Sequence, residues 1–263
     1  MKRRIKRLSS NSTDRFRSGG SIKIEKAQIK NNTISISHHS LVCYHNRLYS
    51  FGGLLDGKPT SRLMISGETT FNWGRLNNIS ERYDALMVNH NNIFYIYGGT
   101  TDGKTQLNDL YRVELKKPAP IVKKLGDNSP FSPIPSHGYT LTHMPSHEVL
   151  ILIGGSTEFN CYLFNLKKEF WRPKKYQNQV MFRSLVGHQA VAINDNDIAI
   201  IGGKTTDENG NVSYNNAVII YHPFAKNVNF TVFRTTGFYP FNRFNHHAIP
   251  LNKYLIIVFG GEF

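Results

Sequence analysis

The chain has 263 residues, enough for one large domain or two of average size. Hydrophobic residues make up 40% of it and aromatic residues 12%, so most of the chain can support a core. The formal net charge of +14 favours acidic partners, and the sequence has no run of 18 apolar residues that would predict a transmembrane helix.

The first twenty residues, MKRRIKRLSSNSTDRFRSGG, carry +6 of this charge and show almost no apolar periodicity. They lack the apolar segment of a secretory signal peptide, so we predict a disordered basic tail over 1–20 and a folded domain over 21–263. The run KRRIKR leaves nuclear import open, and attraction to nucleic acid or to an anionic membrane is a further alternative for the tail. We expect a cytoplasmic protein, with the nucleus as the alternative, in which Cys43 and Cys161 are reduced thiols.

Two segments with alternating isoleucines follow the tail, SIKIEKAQI and TISIS, within residues 21–37. Ile22 and Ile24 in the first segment, and Ile34 and Ile36 in the second, are separated by polar or charged residues. This period of two predicts a pair of half-buried strands.

Five apolar runs further along the chain each lead into Gly-Gly: RLYSF, IFYIY, VLILI, IAII and LIIVF. Another short apolar segment precedes each run, and a polar turn rich in Asn, Asp or His separates the two, which predicts five hairpins. The second glycines are 46 to 58 residues apart, and a period near ~50 with a strand leading into Gly-Gly is typical of one propeller blade per repeat. The ten glycines are Gly52, Gly53, Gly98, Gly99, Gly154, Gly155, Gly202, Gly203, Gly260 and Gly261.

Over residues 38–261 this pattern resembles the kelch-repeat family. Kelch blades add two outer strands, typically marked by a Tyr and, some residues later, by a Trp that packs between blades. The resemblance implies an all-β fold, a kelch-type β-propeller of about five blades with four antiparallel strands each, as in the central domain of galactose-oxidase-like proteins. The markers are degenerate here: Tyr162 with Trp171 in blade 3, Tyr221 with Phe230 in blade 4, Tyr111 without a Trp in blade 2, and Trp73 without a Tyr in blade 1.

The sequence stops two residues after the fifth glycine pair, so the fifth blade has only an inner hairpin. Propellers commonly hide the edges of their last blade by completing it with strands from the other end of the chain. The strands predicted within 21–37 are the available donor, which gives a five-blade ring. The alternative is a six-blade ring of which this sequence is an incomplete part.

Some kelch-like proteins are copper-radical sugar oxidases, whose site needs converging His and Tyr ligands and a Tyr crosslinked to a Cys. Here His39, His137, His188 and His246 fall at similar positions of their repeats. A residue that is repeated once per blade is spread around a ring and does not converge on one metal. We therefore predict no metal, no cofactor and no catalytic residue, with a kelch-like sugar-processing or oxidase enzyme as the alternative.

Loops from all blades of a propeller gather at one mouth of its channel, where a rigid scaffold suits them to recognition. Long polar loops over 100–108, 126–137 and 204–216 are predicted to border this mouth. Arginines in the loops that lead into the blades either contact a ligand or tie one blade to the next. We predict a non-enzymatic scaffold that binds another protein through an acidic peptide segment, because the chain is basic. The predicted contact residues are Arg82, Tyr83, His137, Arg183, His188 and Arg243.

Overall fold

The structure is a computed structural model that describes residues 35–66, 71–116, 119–126, 129–174, 183–226, 230–233, 242–252 and 254–262. The predictions for the tail 1–20 and for the strands over 21–34 lie outside these residues, as does the side chain of Trp73.

Apart from one 3-10 turn at Pro145–His147, the regular secondary structure of the described residues is entirely β-strand. In chain order the strands are β1 (Ile36–Ser37), β2 (Ser40–Tyr44), β3 (Arg47–Phe51), β4 (Leu54–Leu55), β5 (Lys58–Pro59), β6 (Arg62–Ser66), β7 (Phe71–Arg75), β8 (Leu86–His90), β9 (Ile93–Thr100), β10 (Gln106–Glu114), β11 (Ile121–Leu125), β12 (Tyr139–Met144), β13 (Val149–Gly154), β14 (Asn160–Asn165), β15 (Phe170–Pro173), β16 (Gln189–Ala192), β17 (Ile198–Ile201), β18 (Lys204–Thr206), β19 (Val212–Tyr214), β20 (Val218–Tyr221), β21 (Phe230–Phe233), β22 (His247–Asn252) and β23 (Leu255–Phe259).

Four antiparallel sheets of four strands each follow one another along the chain, and each is one blade. Blade 1 contains β2, β3, β6 and β7, blade 2 contains β8 to β11, blade 3 contains β12 to β15, and blade 4 contains β16, β17, β20 and β21. The pair β22–β23 is the inner hairpin of blade 5. The predicted all-β architecture of antiparallel four-stranded blades is thus confirmed.

The first strands of successive blades lie side by side, β2 against β8, β8 against β12, β12 against β16 and β16 against β22. Inner strands that succeed one another in this way surround the central channel of a propeller.

The second strands of blades 2 and 3 are buried on both sides, because each side faces another blade. In β9, Phe94 and Ile96 pack toward blade 1, whereas Tyr95 and Tyr97 pack toward blade 3. Burial on both sides explains why these strands are continuous apolar runs in the sequence. Buried apolar clusters fill the four interfaces from blades 1–2 to blades 4–5.

The aromatic side chains of the outer strands belong to these clusters. Trp171 is 1% exposed and lies between two blades, with its ring centroid 5.6 Å from that of Tyr97 in blade 2 and 5.0 Å from that of Phe164 in blade 3. In blade 4, the rings of Tyr221 and Phe230 stack with centroids 4.9 Å apart. Large aromatic rings fill the space between twisted sheets because each buries roughly 150–250 Å².

Each glycine pair lies where the backbone approaches other parts of the protein closely. The second glycine faces the start of its own blade: a Cβ added at Gly203 would lie 2.8 Å from the Cβ of His188. In blade 4 the first glycine faces the next blade: a Cβ at Gly202 would lie 2.5 Å from Cε1 of His246. All ten glycines have φ between +62° and +120°, which other residues rarely adopt.

The first glycine of blade 5 differs from the others, since a Cβ added at Gly260 would meet no described atom within 4 Å. Apolar side chains on the flanking strands are also about half exposed: Ile249, Leu251 and Phe259 in blade 5, and Leu41 and Leu48 in blade 1. Within the described residues, the outward sides of blades 1 and 5 are therefore less covered than the four interfaces between successive blades.

The strand β1 corrects the prediction that Ile36 belongs to the outer part of blade 5. Ile36 pairs with Leu55, and β4 pairs in turn with β5, so β1 belongs to a small sheet beside blade 1. Completion of blade 5 by residues 21–34 falls outside the described residues and stays a prediction.

Candidate partner-binding face

The long loops lie at the same end of the blades as the glycine pairs, and we call this end the glycine face. Antiparallel pairing brings two kinds of loop to one end, namely those between the second and third strands and those that lead into the next blade. The opposite end has turns as short as His45–Asn46 and Asn91–Asn92. The described loop residues of the glycine face include 52–61, 76–85, 101–105, 129–138, 155–159, 183–188, 202–217 and 242–246.

Arg82 is fully buried on this face, and the protein itself satisfies its guanidinium. Its Nε and Nη2 donate to the backbone oxygen and Oγ of Ser80 at 3.1 and 2.7 Å, and Nη1 donates to the Gly98 oxygen at 3.0 Å. The Asp109 carboxylate accepts one further hydrogen bond from Nη1 at 2.6 Å and one from Nη2 at 3.0 Å. The ring centroid of Tyr111 lies 5.3 Å from the guanidinium carbon. All five donors are used, so Arg82 ties its loop to blade 2 and presents nothing to a partner.

The other two arginines lie closer to the surface. Arg183 has a side chain that is 53% exposed and pairs with Glu208 at 3.0 Å. Arg243 donates from Nη1 to the Gly260 oxygen at 3.1 Å, which connects the loop before blade 5 to the end of that blade. Arg183 therefore stays a candidate contact, because its side chain is more than half exposed.

Tyr83 and His137 line the glycine face to different degrees. Tyr83 is partly buried, exchanges backbone hydrogen bonds with Thr100 in both directions, and packs its ring edge-on to His38 with centroids 5.9 Å apart. His137 is exposed in the loop 129–138. Both residues therefore remain candidate contacts, His137 more directly than Tyr83.

The histidines follow the repeat less regularly than the sequence suggested. Each blade is preceded by one residue in the left-handed region, and in blade 3 this residue is Gly138 rather than His137. His137 is therefore out of register with His39, His188 and His246. The residues that directly follow the left-handed position are His39, Ala85, Tyr139, His188 and His246.

His188 is buried between blades 3 and 4 and is not a surface contact. Its Nε2 lies 3.0 Å from the hydroxyl oxygen of Thr140 in a hydrogen bond, and its ring packs beside Gly154. Burial, together with the neighbouring His246, lowers the pKa of His188 to about 3. Burial also lowers the pKa of His246, and the nearby Arg243 and His247 lower it further. At pH 7 the imidazole of His188 is therefore neutral.

Lowering the pH from 7 to 5 should destabilise the fold through His188. The imidazole of an unfolded histidine has a pKa of about 6.5, whereas His188 in the folded protein stays neutral down to about pH 3. Between these two pH values protons bind to the unfolded state and not to the folded one, so the free energy of unfolding decreases as the pH falls below about 6.5. For this residue alone we expect a loss of about 2 kcal/mol at pH 5. Urea unfolding midpoints at both pH values measure the effect. His188→Gln should reduce it and His137→Gln should not, and equal midpoints at pH 7 and pH 5 would contradict this reading.

The loop 129–138 is fixed to the blades although it has no regular secondary structure. The Ser129 hydroxyl donates to the Trp171 oxygen at 3.0 Å and accepts the Trp171 N–H at 3.1 Å. Asn108 donates from its amide to the Pro133 oxygen at 2.8 Å. Prolines at 130, 133 and 135 restrict the backbone further.

A hairpin formed by β18 and β19 stands where the sequence predicted only a polar loop, 204–216. Its turn is held by Asp207, whose carboxylate accepts hydrogen bonds from Asn209 and Asn211. The hydrogen bonds from Asn211 and Asn209 hold the pKa of Asp207 below its usual range, so the carboxylate is ionised at neutral pH.

An open cleft of about 560 Å³ lies between this turn and blade 3. It contains three acidic side chains and one basic side chain, so its local charge is opposite to that of the whole chain. The lining residues are Thr157, Glu158, Arg183, Asp207 and Glu208.

Cys161 and Tyr221 are neighbours, but they lie in the apolar cluster between blades 3 and 4. Burial raises the pKa of the Tyr221 hydroxyl far above its usual range. Across the described part of the chain, no three side chains of His, Cys, Asp or Glu come together as a metal site would require. Among the same residues, no helix is long and apolar enough to cross a membrane.

Sequence reasoning missed two features of the glycine face. The hairpin β18–β19 had a local signal, because Thr-Thr and Val-Ser-Tyr flank the turn-forming segment Asp-Glu-Asn-Gly-Asn. Phe131 and Ile134 stand between prolines of the loop 129–138, and their exposure of 53% and 47% had no sequence signal, because apolar residues in a loop usually pack inward.

Comparison with known proteins gives two matches. A model of the KLHDC2/KLHL20/DRC7 Kelch-repeats domain matches residues 38–261. A probable serine/threonine-protein kinase of Dictyostelium discoideum is 31% identical over 129 residues, which cover 46% of this chain. The matched region amounts to 9% of the length of that kinase.

Proposed function

The chain belongs to the kelch-repeat family, and on this premise we propose that it is a non-enzymatic scaffold that binds another protein through the loops of its glycine face. Kelch-repeat domains generally mediate protein interactions. The observation that carries the proposal is the difference between the two ends of the blades. At the opposite end the first two blades turn between their first and second strands over only two residues each, whereas the glycine face has the braced loop 129–138 and the hairpin β18–β19. Rigid blades that carry long loops at one end are suited to recognition.

The charge of the site does not favour the acidic peptide that the overall composition predicted. Arg82 is buried and paired with Asp109, so it offers no charge to a ligand. Arg183 pairs with Glu208 in a cleft that also contains Glu158 and Asp207. We therefore retain a protein as the partner and do not require it to be acidic.

The two alternative functions gain no support from the described residues. Association of the basic tail with nucleic acid or an anionic membrane depends on residues 1–20, which lie outside them, and stays a prediction, as does the cytoplasmic location. For a sugar-processing or oxidase enzyme, His188 is buried, Tyr221 lies in an apolar cluster, and neither side chain lines the cleft between Glu158 and Glu208.

Steric blocking of one face at a time tests the proposal without assuming the chemistry of the partner. In a Cys43→Ser background, single cysteines would be introduced at exposed positions, Lys104→Cys and Asn209→Cys on the glycine face and Lys168→Cys at the opposite end. Each would be coupled to a maleimide polymer of about 5 kDa before capture of partners from cell extract. Coupling on the glycine face should remove the partners that the uncoupled protein captures, and coupling at Lys168→Cys should not. Capture that survives both glycine-face couplings would contradict the proposal.

A further inference from the structure

The loop 129–138 exposes two apolar side chains to solvent, although hydrogen bonds to the blades restrain its backbone. Phe131 is 53% exposed and Ile134 is 47% exposed, while the oxygen of Ile134 accepts a hydrogen bond from the Tyr139 hydroxyl at 3.2 Å. The N–H of Ile134 points at the Tyr162 hydroxyl oxygen, 3.4 Å away. A loop that is already ordered loses little conformational entropy on binding, so its exposed apolar groups are efficient anchors for a partner.

These anchors are connected to the acidic cleft through a pair of serines. The hydroxyl oxygens of Ser136 and Ser156 are 3.0 Å apart, and the Ser156 N–H donates to the Ser136 hydroxyl at 3.0 Å. Ile134 lies two residues before Ser136, and Glu158 lies two residues after Ser156. Two residues span at most about 7 Å, so the Cα atoms of Ile134 and Glu158 lie within roughly 20 Å of each other, a distance that about six extended residues cover.

The cleft has a charge that selects among partners. Glu158, Asp207 and Glu208 face a single base, Arg183, which already pairs with Glu208. An acidic peptide in this position would bring like charges together, whereas a basic side chain would find an opposite charge. Asp207 keeps its charge at neutral pH because its turn stabilises the ionised form.

We propose that the surface from Phe131 and Ile134 to Glu158 and Glu208 binds an extended segment of another protein that combines apolar side chains with a lysine or arginine. The apolar side chains contact the loop 129–138, and the basic one enters the cleft between Glu158 and Glu208. This inference rests on the proposed function, and it assigns the chemical class of the partner.

Two pools of fluorescein-labelled nine-residue peptides test the inference by fluorescence anisotropy. Both pools have Leu, Ile or Phe at two positions, and they differ at one other position, which is Lys or Arg in the basic pool and Asp or Glu in the acidic pool. The basic pool should bind at least tenfold more tightly than the acidic pool. Phe131→Ser with Ile134→Ser should weaken binding of the basic pool at least tenfold, and Glu158→Gln with Glu208→Gln should remove the preference between the pools.

The matched control is Val232→Ser on β21, a side chain that is 44% exposed in blade 4, which should leave binding unchanged. The inference is overturned if neither pool binds, if the acidic pool binds as well or better, or if the Phe131 and Ile134 replacements have no effect. Sedimentation that shows self-association through these two side chains would also overturn it, because the occupant would then be a second copy of the chain. If the peptides fail but polymer on the glycine face still blocks capture, the proposed function stands and the assigned partner chemistry falls.

Discussion

Replacing Arg82 by alanine is expected to lower the free energy of unfolding by about 3–5 kcal/mol, the usual cost of removing one partner of a buried ion pair. The carboxylate of Asp109, whose side chain is 16% exposed, would lose both hydrogen bonds from the guanidinium and its opposite charge. The Gly98 oxygen and the Ser80 hydroxyl would lose a donor as well. Lysine is not expected to restore the stability, because an ammonium group cannot form the two-pronged contact with a carboxylate.

Urea unfolding of the Arg82→Ala protein measures this loss, and Arg183→Ala is the matched control. Arg183 also pairs with an acidic side chain, that of Glu208, but both side chains of this pair are more than half exposed, so we expect a change below about 1 kcal/mol. Similar losses for the two replacements would show that Arg82 does not stabilise the fold in the way its buried contacts indicate.

Gly99→Ala should be the second strongly destabilising replacement, with an expected cost of at least about 3 kcal/mol. Gly99 has φ +89°, and a Cβ there would lie 2.6 Å from the Tyr83 oxygen and 2.9 Å from the Ala85 nitrogen. These are backbone atoms of the loop that leads into the blade, and they cannot move aside as a flexible side chain could. The replacement therefore combines an unfavourable backbone angle with a collision.

Gly57→Ala separates these two causes. Gly57 also has positive φ, at +74°, but a Cβ there would meet no described atom within 4 Å. We expect it to cost about 1–2 kcal/mol, the price of the backbone angle alone. Thermal or urea unfolding of both variants gives the comparison, and equal losses would show that close approach is not the reason for the glycine pairs.

The repeated architecture could be predicted from the sequence because its causes are local or periodic. Strands such as IFYIY are apolar throughout because both of their sides face other blades, and the following Gly98 and Gly99 have backbone angles that favour glycine. The outer strands were harder to assign, since an aromatic ring between blades can be replaced by other apolar residues, as Phe230 in blade 4 shows.

The candidate site was less predictable because it depends on contacts between residues far apart in the sequence. The sequence around Arg82 does not indicate that Asp109, 27 residues later, forms a buried ion pair with it. The position of His137 was misjudged by counting residues, since the loop before blade 3 makes its left-handed turn at Gly138. Likewise, the acidic cleft brings together Glu158 of blade 3 and Glu208 of blade 4. The positive net charge of the chain gives no indication of this local negative charge.

Hydrogen exchange of the protein with and without its captured partner tests the central claim most directly. If the glycine face is the binding surface, backbone amides within 129–138, 155–159 and 204–214 should exchange more slowly in the complex. The opposite-end turns at 145–148 and 166–169 should exchange at unchanged rates. Protection confined to those opposite-end turns, or a bound partner that protects none of the glycine-face loops, would contradict the account.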